Sequence, residues 1–429
     1  MRIAYITAGA AGMYCGSCMH DNTLAAALIA QGHDALLIPT YTPIRTDEAD
    51  VSQGRVFFGG INVYLQQKSS LFRHTPWSLD RLLDARWLLN WVSRFAVQTE
   101  AQQLAQLTVS MLKGEHGYQR KEVEKLARWL AEDIRPDVIH LSNVIISGLV
   151  HEVKRRWRGP VLGELQGDDI FLDSLPEPYK TEAMRLVREH CRELDGFVTT
   201  SGYYADFMAG YLDIPREKLH VVPLGLNLQG HGAPPAPRDA GPGTIGYFAR
   251  ICPEKGFHVL VDAFCRLRQQ PDCPKYRLRV SGWLGEHNRG YFDEQVNKLT
   301  TCGLAGDFEH LEAPDHASKV RFLQSVDVLS VPTVYREPKG LYVLEAWANG
   351  VPVVQPRHGS FPELLEATGG GLLVNPEDPE DLARGLREML QDAAKRQALG
   401  LQAQAAVQQR FTADLMARNT VDVYRRYVK

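Results

Sequence analysis

Short apolar runs alternate with amphipathic helical patterns along both halves of the chain. The runs in the first half predict strands at Ile3–Thr7, Asp34–Pro39, Val138–Leu141, Val161–Leu165, Gly196–Thr200 and Leu219–Pro223. Those in the second half predict strands at Thr244–Phe248, Arg277–Ser281, Val328–Val331, Val351–Gln355 and Gly371–Val374. Apolar strands separated by amphipathic helices are typical of βα units and parallel sheets. The pattern therefore predicts an α/β protein with a doubly wound sheet in each half.

A segment rich in proline and glycine, QGHGAPPAPRDAGPG, separates the two halves at Gln229–Gly243. Because it has almost nothing to bury, we interpret it as an interdomain linker. We expect a Rossmann-like N-terminal domain over residues 1–228 and a Rossmann-like C-terminal domain over residues 244–413. Ligands of such sheets bind at the carboxyl ends of the strands, which places the expected site in the cleft between the domains. A helical insertion is predicted at about residues 71–131, and a last amphipathic helix at about 414–429.

The composition of the chain argues against several classes of protein, among them nucleic-acid-binding, membrane-spanning and secreted proteins. The 429 residues carry a formal net charge of -3, so no basic field points toward nucleic acid. No apolar run approaches the ~20 residues that a membrane-spanning helix needs. The N-terminus has the pattern of a buried strand and a glycine turn rather than that of a signal peptide. An odd number of cysteines, seven, argues against a disulfide framework and for a cytoplasmic protein.

Cys15 and Cys18 form a closely spaced pair. The pair is compatible with a redox motif, with half of a zinc site, or with a loop that merely contains thiols. No second Cys or His pair with ligand spacing accompanies it, and a redox dithiol normally belongs to a much smaller domain. We therefore favour the loop.

The strongest candidate for chemistry is the segment EPKGLYVLE, from Glu337 to Glu345, which AWANGVPVV follows. Two carboxylates lie eight positions apart, the first in a loop and the second inside a predicted helix. Between them, Gly340 and Leu341 form a predicted turn into the helix N-terminus, whose backbone N–H groups suit a diphosphate. The carboxylates can accept hydrogen bonds from the hydroxyls of a sugar and a ribose.

This segment resembles the E-x7-E signature of the family-4 retaining glycosyltransferases of the GT-B fold, and the similarity extends over nearly the whole chain. In that family the first acid contacts the donor sugar and the second holds the nucleotide ribose, which implies these roles for Glu337 and Glu345. The resemblance also implies that backbone groups of Gly340 and Leu341 meet the donor phosphates. It further implies two Rossmann-like domains facing across a cleft, with the C-terminal helix returning to the N-terminal domain.

A second motif, GYFARICPEKG, follows the first predicted strand of the C-terminal domain. Its two cations, Arg250 and Lys255, can neutralise a diphosphate both when it binds and when it departs with extra charge. On spacing alone, two solvated surface cations are an equal alternative, but the pair resembles the family's catalytic arginine and lysine. Such a pair stands in for a divalent metal. Asp168 and Asp169 are adjacent and would face opposite ways in a strand, so we expect no metal and no cofactor beyond the nucleotide-sugar substrate.

The first loop carries a weaker likeness to the family. Family members usually have Gly-Gly-x-x-x-His there, sixteen positions before a Gly-His pair. Gly16 lies sixteen positions before Gly32, and His20 takes the place of the histidine, whereas Cys15 replaces the first glycine. The resemblance implies that Gly16 and His20 contact the donor. The alternative for His20 is a histidine at a helix start with a local hydrogen bond.

One position departs from the family. After the strand Val161–Leu165 the family often has a histidine near the reacting carbon, and this chain has Gln166. Glutamine can bond to sugar hydroxyls but cannot take a proton. Retaining members do not depend on an enzymic base, because the departing phosphate can collect the acceptor's proton. Asp168 or Asp169 either orients the acceptor or caps a helix.

Three further segments resemble the loops that surround the donor. Residues 282–286 and 308–311 resemble those that enclose the nucleotide base. Residues 357–360 follow the strand after the Glu345 helix, and a place in the donor pocket and a place outside it are equal alternatives for them.

The predicted helical insertion contains three tryptophans: Trp77, Trp87 and Trp91. Three roles are open for them, which are packing in a core, stacking on a sugar and facing a membrane. Helical spacing favours the core, and the mixed charges disfavour membrane attachment.

The sequence thus predicts transfer of a hexosyl group from a nucleotide-diphosphate sugar, with UDP-sugar favoured, to an unidentified hydroxyl acceptor. The acceptor is a carbohydrate, a small molecule or a lipid-linked compound. The alternatives are a nucleotide-sugar epimerase and a non-catalytic nucleotide-sugar-binding protein. An epimerase needs additional acid and base groups at the sugar, and Gln166 in place of a histidine argues against it.

Overall fold

The computed structural model describes residues 1–9, 16–53, 57, 101–232 and 243–428. These residues form two compact units. The first unit comprises Met1–Gly225 and Ala413–Lys429, and the second comprises Leu226–Thr412. Each unit contains a parallel six-stranded sheet. None of the helices in these described ranges is both long enough and apolar enough to cross a membrane.

The sheet of the first unit has the strand order β2-β1-β3-β4-β5-β6. Its strands are β1 (Arg2–Thr7), β2 (Asp34–Pro39), β3 (Val138–Leu141), β4 (Val161–Leu165), β5 (Gly196–Thr199) and β6 (Leu219–Val221). Its helices are α1 (Gly16–Ala30), α2 (Ala101–Leu112), α3 (Arg120–Trp129), α4 (Val150–Arg156), α5 (Asp168–Ser174), α6 (Tyr179–Glu193), α7 (Gly202–Leu212) and α15 (Ala413–Tyr424).

The two faces of this sheet are covered by different helices. Side chains alternate along β1, so Ile3 and Tyr5 pack with α1 and α15, while Ala4 and Ile6 pack with the helices α2 to α7. Because both faces are buried, the strands are apolar along nearly their whole length. Residues 101–131, the described part of the predicted insertion, contribute to this core through α2 and α3. Trp77, Trp87 and Trp91 lie outside the described residues.

The sheet of the second unit has the strand order β12-β11-β10-β7-β8-β9. Its strands are β7 (Thr244–Phe248), β8 (Arg277–Ser281), β9 (Phe308–His310), β10 (Val328–Leu329), β11 (Val353–Pro356) and β12 (Gly371–Val374). Its helices are α8 (Phe257–Gln269), α9 (Arg289–Thr301), α10 (His316–Gln324), α11 (Leu341–Ala348), α12 (Phe361–Thr368), α13 (Pro379–Gln391) and α14 (Ala393–Arg410).

Both strand orders are those of doubly wound sheets, in which the winding direction reverses once. The reversal falls between β1 and β3 in the first unit and between β7 and β10 in the second. Loops that follow these strands diverge above the carboxyl edge and leave a crevice there, which is where such sheets bind ligands. The predicted α/β architecture with two Rossmann-like sheets is confirmed.

The eleven predicted strands are present, with small shifts at their ends. The prediction for Val351–Gln355 was wrong at its start, because the Val351 N–H closes the preceding helix onto Ala346 O at 3.0 Å. The described residues contain one further strand, β9, which the sequence predicted as a loop. It is a three-residue edge strand paired with β8, too short to show a period of its own.

Candidate functional site

The loops after β7 and β10 pack against each other at the reversal point of the second sheet. Gly256 has a left-handed backbone with φ of +71°, and an added Cβ would lie 1.8 Å from the carbonyl oxygen of Pro332. Only glycine permits this approach. The N–H of Val334 also donates to the Glu254 carbonyl at 3.0 Å. These contacts bring Lys255 to the loop that carries Glu337.

Lys255 and Glu337 form a buried ion pair. The Nζ atom of Lys255 lies 2.7 Å from Oε2 of Glu337 and also donates to the hydroxyl of Tyr335. Oε2 of Glu337 accepts hydrogen bonds from the hydroxyls of Tyr335 at 2.9 Å and Tyr342 at 3.2 Å. The ammonium lies 5.0 Å from the ring centres of both tyrosines. Two aromatic rings and one carboxylate thus fix the position of the cation.

The other oxygen of Glu337 is bound to the start of a helix. Oε1 accepts hydrogen bonds from the backbone N–H groups of Lys339 and Gly340, each at 3.3 Å. Gly340 has φ of +73°, and α11 begins at Leu341. The predicted turn into a helix N-terminus is therefore confirmed. The amide of Gly340 is occupied by Glu337, so the amides of Leu341 and Tyr342 are the first-turn donors that lack a carbonyl partner within the helix.

The surroundings of Glu337 and Tyr335 determine the protonation state of each side chain. Burial alone would raise the pKa of Glu337, but Lys255, the hydroxyl of Tyr335 and the amide of Gly340 together lower it to about 2. Burial, with a contribution from the Glu337 charge, raises the pKa of Tyr335 well above its ordinary value. The nearby positive charge of Arg250 opposes that rise, which places the exposed Arg250 within electrostatic reach of the cluster. Glu337 is therefore an anion and Tyr335 a neutral hydroxyl at neutral pH.

Glu345 lies four residues beyond Leu341 in α11 and has a different basic partner. Its Oε1 accepts a hydrogen bond from Nζ of Lys319 at 2.7 Å, and both side chains are buried. Lys319 belongs to α10, which packs beside α11. The two acids of the E-x7-E segment are thus paired with separate lysines, one from the β7 loop and one from α10.

Two neighbouring loops pack against this cluster. Gly359 approaches Glu337 so closely that an added Cβ would lie 2.5 Å from its carbonyl oxygen, and Ser360 N–H donates to that oxygen at 2.8 Å. The loop after β8 contacts the β7 loop, since Ile251 N–H donates to Trp283 O at 2.9 Å. Residues 308–310, predicted as part of a loop at the base, instead form β9.

The carboxyl edge of the first sheet contains a second buried polar cluster. Nε2 of His20 lies 2.7 Å from Oε1 of Glu164. The other oxygen of Glu164, Oε2, accepts a hydrogen bond from the hydroxyl of Tyr5 at 2.6 Å. Tyr5 OH also lies 3.0 Å from Oδ1 of Asp21, which accepts a hydrogen bond from Gln166 Nε2 at 2.9 Å. His20 and Gln166 are therefore joined through two acids and a tyrosine.

This cluster extends to the last helix of the chain. Nε2 of His140 lies 3.4 Å from Glu164, and Nδ1 of His140 lies 2.5 Å from the hydroxyl of Tyr424 in α15. Burial would raise the pKa of Glu164, but the charge of His20 and the hydrogen bonds from both histidines hold it well below its usual range. Burial raises the pKa of Asp21, although His20 opposes that rise.

Gly16 differs from the expected local structure, and Asp168 lies at the start of a helix. Gly16 is the first residue of α1 rather than a loop residue. Asp168 and Asp169 are the first two residues of α5 and therefore do not lie in a strand. The carboxylate of Asp168 accepts backbone hydrogen bonds from Val144 and Gln166, each at 2.8 Å, and it joins the β3 and β4 loops. Its burial raises its pKa to about 6.

His20, Asp21 and Glu164 are the residues of the described chain whose ligand atoms could surround a metal, since those atoms lie within 4.8 Å of one another. Each of the four carboxylate oxygens already has a protein partner, among them the hydroxyl of Thr7 at 2.6 Å from Asp21 Oδ2. The two carboxylates of this group are therefore already bound within a polar network of the protein. Cys18 packs in the apolar core between α1 and the sheet, and Cys15 lies outside the described residues.

Sequence reasoning placed Lys255, Glu337 and Gly340 in one site, and within the second unit the structure brings them together. It placed Glu345 there too, and the structure adds Lys319 to it. In the first unit, His20 and Gln166 share a network. Sequence reasoning missed several residues of these two clusters, among them Tyr5, Asp21, His140, Glu164, Tyr335, Tyr342 and Tyr424. Glu164 had a visible signal, a charged residue inside the apolar strand VLGEL.

Two models of known glycosyltransferase families match the two halves of the chain. Residues 22–225 match the model described as "Glycosyl transferase 4-like domain", and residues 234–406 match "Glycosyl transferases group 1". The chain belongs to the family-4 glycosyltransferases of the GT-B fold.

Two curated relatives share part of the chain. "Putative colanic acid biosynthesis glycosyltransferase WcaL" of Escherichia coli (strain K12) is 31% identical over 242 residues, 54% of this chain and 55% of the relative. "D-inositol 3-phosphate glycosyltransferase" of Nocardioides sp. is 29% identical over 317 residues, 68% of this chain and 67% of the relative. The chain thus spans 55% of the length of the first of these relatives.

Solved structures agree on the fold over the whole chain. Sucrose-phosphate synthase (tll1590) from Thermosynechococcus elongatus has a TM-score of 0.72 at 17% identity and covers 99% of both chains. Anabaena Alr3699/HepE in complex with UDP-glucose has a TM-score of 0.66 at 20% identity, covering 99% of this chain and 100% of that one. At these identities the likeness shows the GT-B fold.

Proposed function

We propose that this chain is a retaining glycosyltransferase that transfers a hexosyl group from a UDP-sugar to a hydroxyl acceptor without a metal ion. The observation that carries the proposal is the Lys255–Glu337 pair, 2.7 Å apart at the reversal point of the second sheet and beside the first turn of α11. The choice of UDP as the donor nucleotide is supported by the similarity in fold to HepE, whose crystal structure contains UDP-glucose.

The donor diphosphate meets positive charge and helix amides. Lys255 and Arg250 neutralise the phosphates, and the first-turn amides of Leu341 and Tyr342 donate to a phosphate oxygen. When the bond between the sugar C1 and the phosphate oxygen breaks, the negative charge on the leaving UDP rises. Lys255, whose position Glu337 and the two tyrosines already fix, stabilises that charge without reorganising. Together with Arg250 it would supply what a divalent ion supplies in other transferases.

The two acids bind hydroxyls. Glu337 stays ionised down to a pH of about 2 and can accept hydrogen bonds from the donor sugar. Glu345 accepts hydrogen bonds from the ribose. Glu337 acts as a positioning acceptor rather than as a base, because a carboxylate with so low a pKa is a weak base at neutral pH.

The first unit supplies the acceptor side. Gln166 and Asp168 orient the acceptor, and Gly16 and His20 contact the donor from α1. Gln166 cannot remove a proton, so the acceptor hydroxyl gives its proton to the departing phosphate oxygen on the same face of the sugar. The new C1–oxygen bond then forms on the face from which UDP leaves, which retains the configuration. A polyol acceptor agrees with the name of the Nocardioides relative, D-inositol 3-phosphate glycosyltransferase. Cytoplasmic location stays a prediction from the cysteine pattern.

A panel of UDP-, GDP- and ADP-sugars in a thermal-shift assay, followed by hydrolysis with the best binder, tests this function. We expect a UDP-sugar to raise the melting temperature and to release UDP and free sugar slowly without an acceptor. Proton NMR should show the α anomer first from an α-linked donor, and excess EDTA should leave the rate unchanged. Tight binding without turnover would indicate a sensor, and interconversion of two UDP-sugars would indicate an epimerase.

A further inference from the structure

Three aromatic side chains form a row along α7, which we call the α7 aromatic row. Tyr203, Phe207 and Tyr211 are spaced four residues apart, so each lies about 6 Å further along the helix axis than the one before. The ring centres of Tyr203 and Phe207 lie 6.3 Å apart with an interplanar angle of 10°, and those of Phe207 and Tyr211 lie 5.6 Å apart at 22°. All three side chains are half-buried.

The α7 aromatic row begins beside the residues that are proposed to orient the acceptor. Next to its first ring is Tyr204, whose hydroxyl accepts a hydrogen bond from the N–H of Gly167 at 2.9 Å and donates one to Asp169. Gly167 and Asp169 belong to the segment after β4 that also carries Gln166 and Asp168. The row therefore extends away from this segment along the first unit.

The rings of the row lie at the border of the core rather than in it. The fully buried side chains of α7 form a separate stripe: Tyr204, Ala205, Met208 and Leu212. The rings of the row pack against the edge of the core and keep part of their apolar area in contact with water, which costs free energy. Successive flat rings suit the C–H faces of successive sugars, in the same way as aromatic platforms suit the successive bases of a single strand.

The charges beside the row favour a neutral ligand. Three basic side chains that lie beside α5 and α7 each pair with an aspartate: Lys180 with Asp173 at 2.9 Å, Arg216 with Asp206 at 2.6 Å and Arg188 with Asp213 at 3.4 Å. Cations that are already paired offer little attraction to phosphates or anionic lipids. Asp173 also accepts a hydrogen bond from the hydroxyl of Tyr211 at 3.2 Å, and its side chain is 52% exposed. An exposed carboxylate beside aromatic rings can accept hydrogen bonds from sugar hydroxyls.

We propose that the α7 aromatic row is an acceptor subsite for a neutral oligosaccharide, whose sugar faces lie against Phe207 and Tyr211 while the end to be glycosylated lies at the segment after β4. The proposal rests on the proposed function for the direction of the oligosaccharide, and it adds the class of acceptor. A longer oligosaccharide covers more rings than a short one, so its affinity should rise with the number of sugars. A variant that only loosens the packing of α7 should weaken short and long oligosaccharides alike.

The experiment measures dissociation constants of the full chain for malto-, cello- and chito-oligosaccharides of two to five sugars, by ligand-observed NMR without nucleotide. We expect the tetrasaccharide of at least one series to bind at least about tenfold more tightly than its disaccharide. In Phe207→Leu and in Tyr211→Leu this gain should fall below about threefold, because leucine keeps apolar volume but offers no flat ring. Phe207→Tyr and Tyr211→Phe, which keep a ring, should retain most of the gain.

Trp157→Leu is the matched control. Trp157 is a half-buried aromatic residue that packs against the same core and lies outside the row. We expect that control to keep the wild-type gain even if its melting temperature falls. Circular dichroism verifies that each variant is folded, and Phe207→Met provides a second variant without a ring if a leucine variant does not fold, since methionine adapts to irregular packing.

Three outcomes would overturn the proposal. The first is a wild-type gain that persists in the variants without a ring, and the second is the absence of a gain in wild type for every series. The third is binding to vesicles of phosphatidylcholine and phosphatidylglycerol that the leucine variants abolish, without a gain for any oligosaccharide, which would indicate a lipid-facing helix.

Failure of this proposal is separable from failure of the proposed function, because the oligosaccharides are measured without a donor. If a UDP-sugar is hydrolysed but no series shows a gain, the subsite is wrong and transfer from a UDP-sugar still stands. If the ring-dependent gain is found but no UDP-sugar binds, the oligosaccharide site stands and the proposed donor is wrong.

Discussion

The ammonium of Lys255 and the carboxylate of Glu337, 82 residues apart in the sequence, lie 2.7 Å from each other in the second unit. Tyr335 contacts both of them, and Tyr342 contacts the carboxylate. A buried ion pair of this kind depends on its hydrogen bonds, because desolvation would otherwise exceed the attraction. The tyrosines thus support the charges that the proposed chemistry needs.

Replacing Lys255 with alanine should lower the rate of sugar transfer or donor hydrolysis by ~100-fold or more. The lysine stabilises charge that develops on the leaving UDP, and the loss of one such donor has an effect of this size. Steady-state kinetics with the best donor gives the measurement. The exposed Lys275 provides the control, because Lys275→Ala removes a lysine of the same unit that lies outside the cluster. A Lys255→Ala rate equal to that of wild type would contradict the role of the lysine.

Replacing Tyr335 with phenylalanine should reduce turnover by about tenfold. The change removes one hydroxyl that bonds to both Lys255 and Glu337, and a hydrogen bond to a charged group contributes about 1.5 kcal/mol. The phenyl ring keeps its place beside the Lys255 ammonium, so the melting temperature should fall by only a few degrees. Circular dichroism and kinetics on the same sample separate the two effects. Unchanged turnover would show that the hydroxyl does not support the pair.

Replacing Gly340 with alanine should weaken UDP binding more than it weakens folding. An alanine at φ of +73° is strained by roughly 1 kcal/mol, and its Cβ would lie 2.8 Å from Cδ1 of Leu364. Relief of that strain moves the first turn of α11, whose amides are proposed to meet the phosphates. Gly290→Ala is the matched control, since a Cβ there would meet no atom within 4 Å. Equal UDP affinity in both variants would argue against phosphate binding at this turn.

Because of Asp168, the free energy of unfolding should fall as the pH rises from about 4 to about 6. Its pKa is raised by burial to about 6, so the folded chain holds a proton that the unfolded chain has already released. The contribution is fully present below pH ~4 and lost as the pH passes ~6, a total of about 3 kcal/mol. Urea unfolding of wild type and Asp168→Asn across this range measures it. Parallel pH profiles for the two proteins would contradict the raised pKa.

Much of the fold followed from the sequence because βα units leave a strong periodic pattern. Eleven strands were predictable from apolar runs, whereas β9 was missed because three edge residues show no period. The start of α11 was predictable because glycine at its N-cap marks a left-handed turn. These features are local, and local patterns are what a sequence displays.

The site was less predictable because its contacts are tertiary. Only the family resemblance joined Lys255 to Glu337, since no spacing rule connects residues so far apart. Lys319 contacts Glu345 because α10 packs on α11, and nothing in the sequence of α10 distinguishes this lysine from an exposed one. Tyr335 and Tyr342 flank Glu337 closely, but their convergence on its Oε2 depends on the turn at Gly340.

The most direct test of the central claim is a crystal structure of the chain with UDP-2-deoxy-2-fluoroglucose, a donor that reacts slowly. The account predicts that the diphosphate lies against Lys255 and the first turn of α11, with Glu337 within hydrogen-bond distance of a sugar hydroxyl. A donor bound elsewhere, with Lys255 and Glu337 still engaged only with each other, would contradict it.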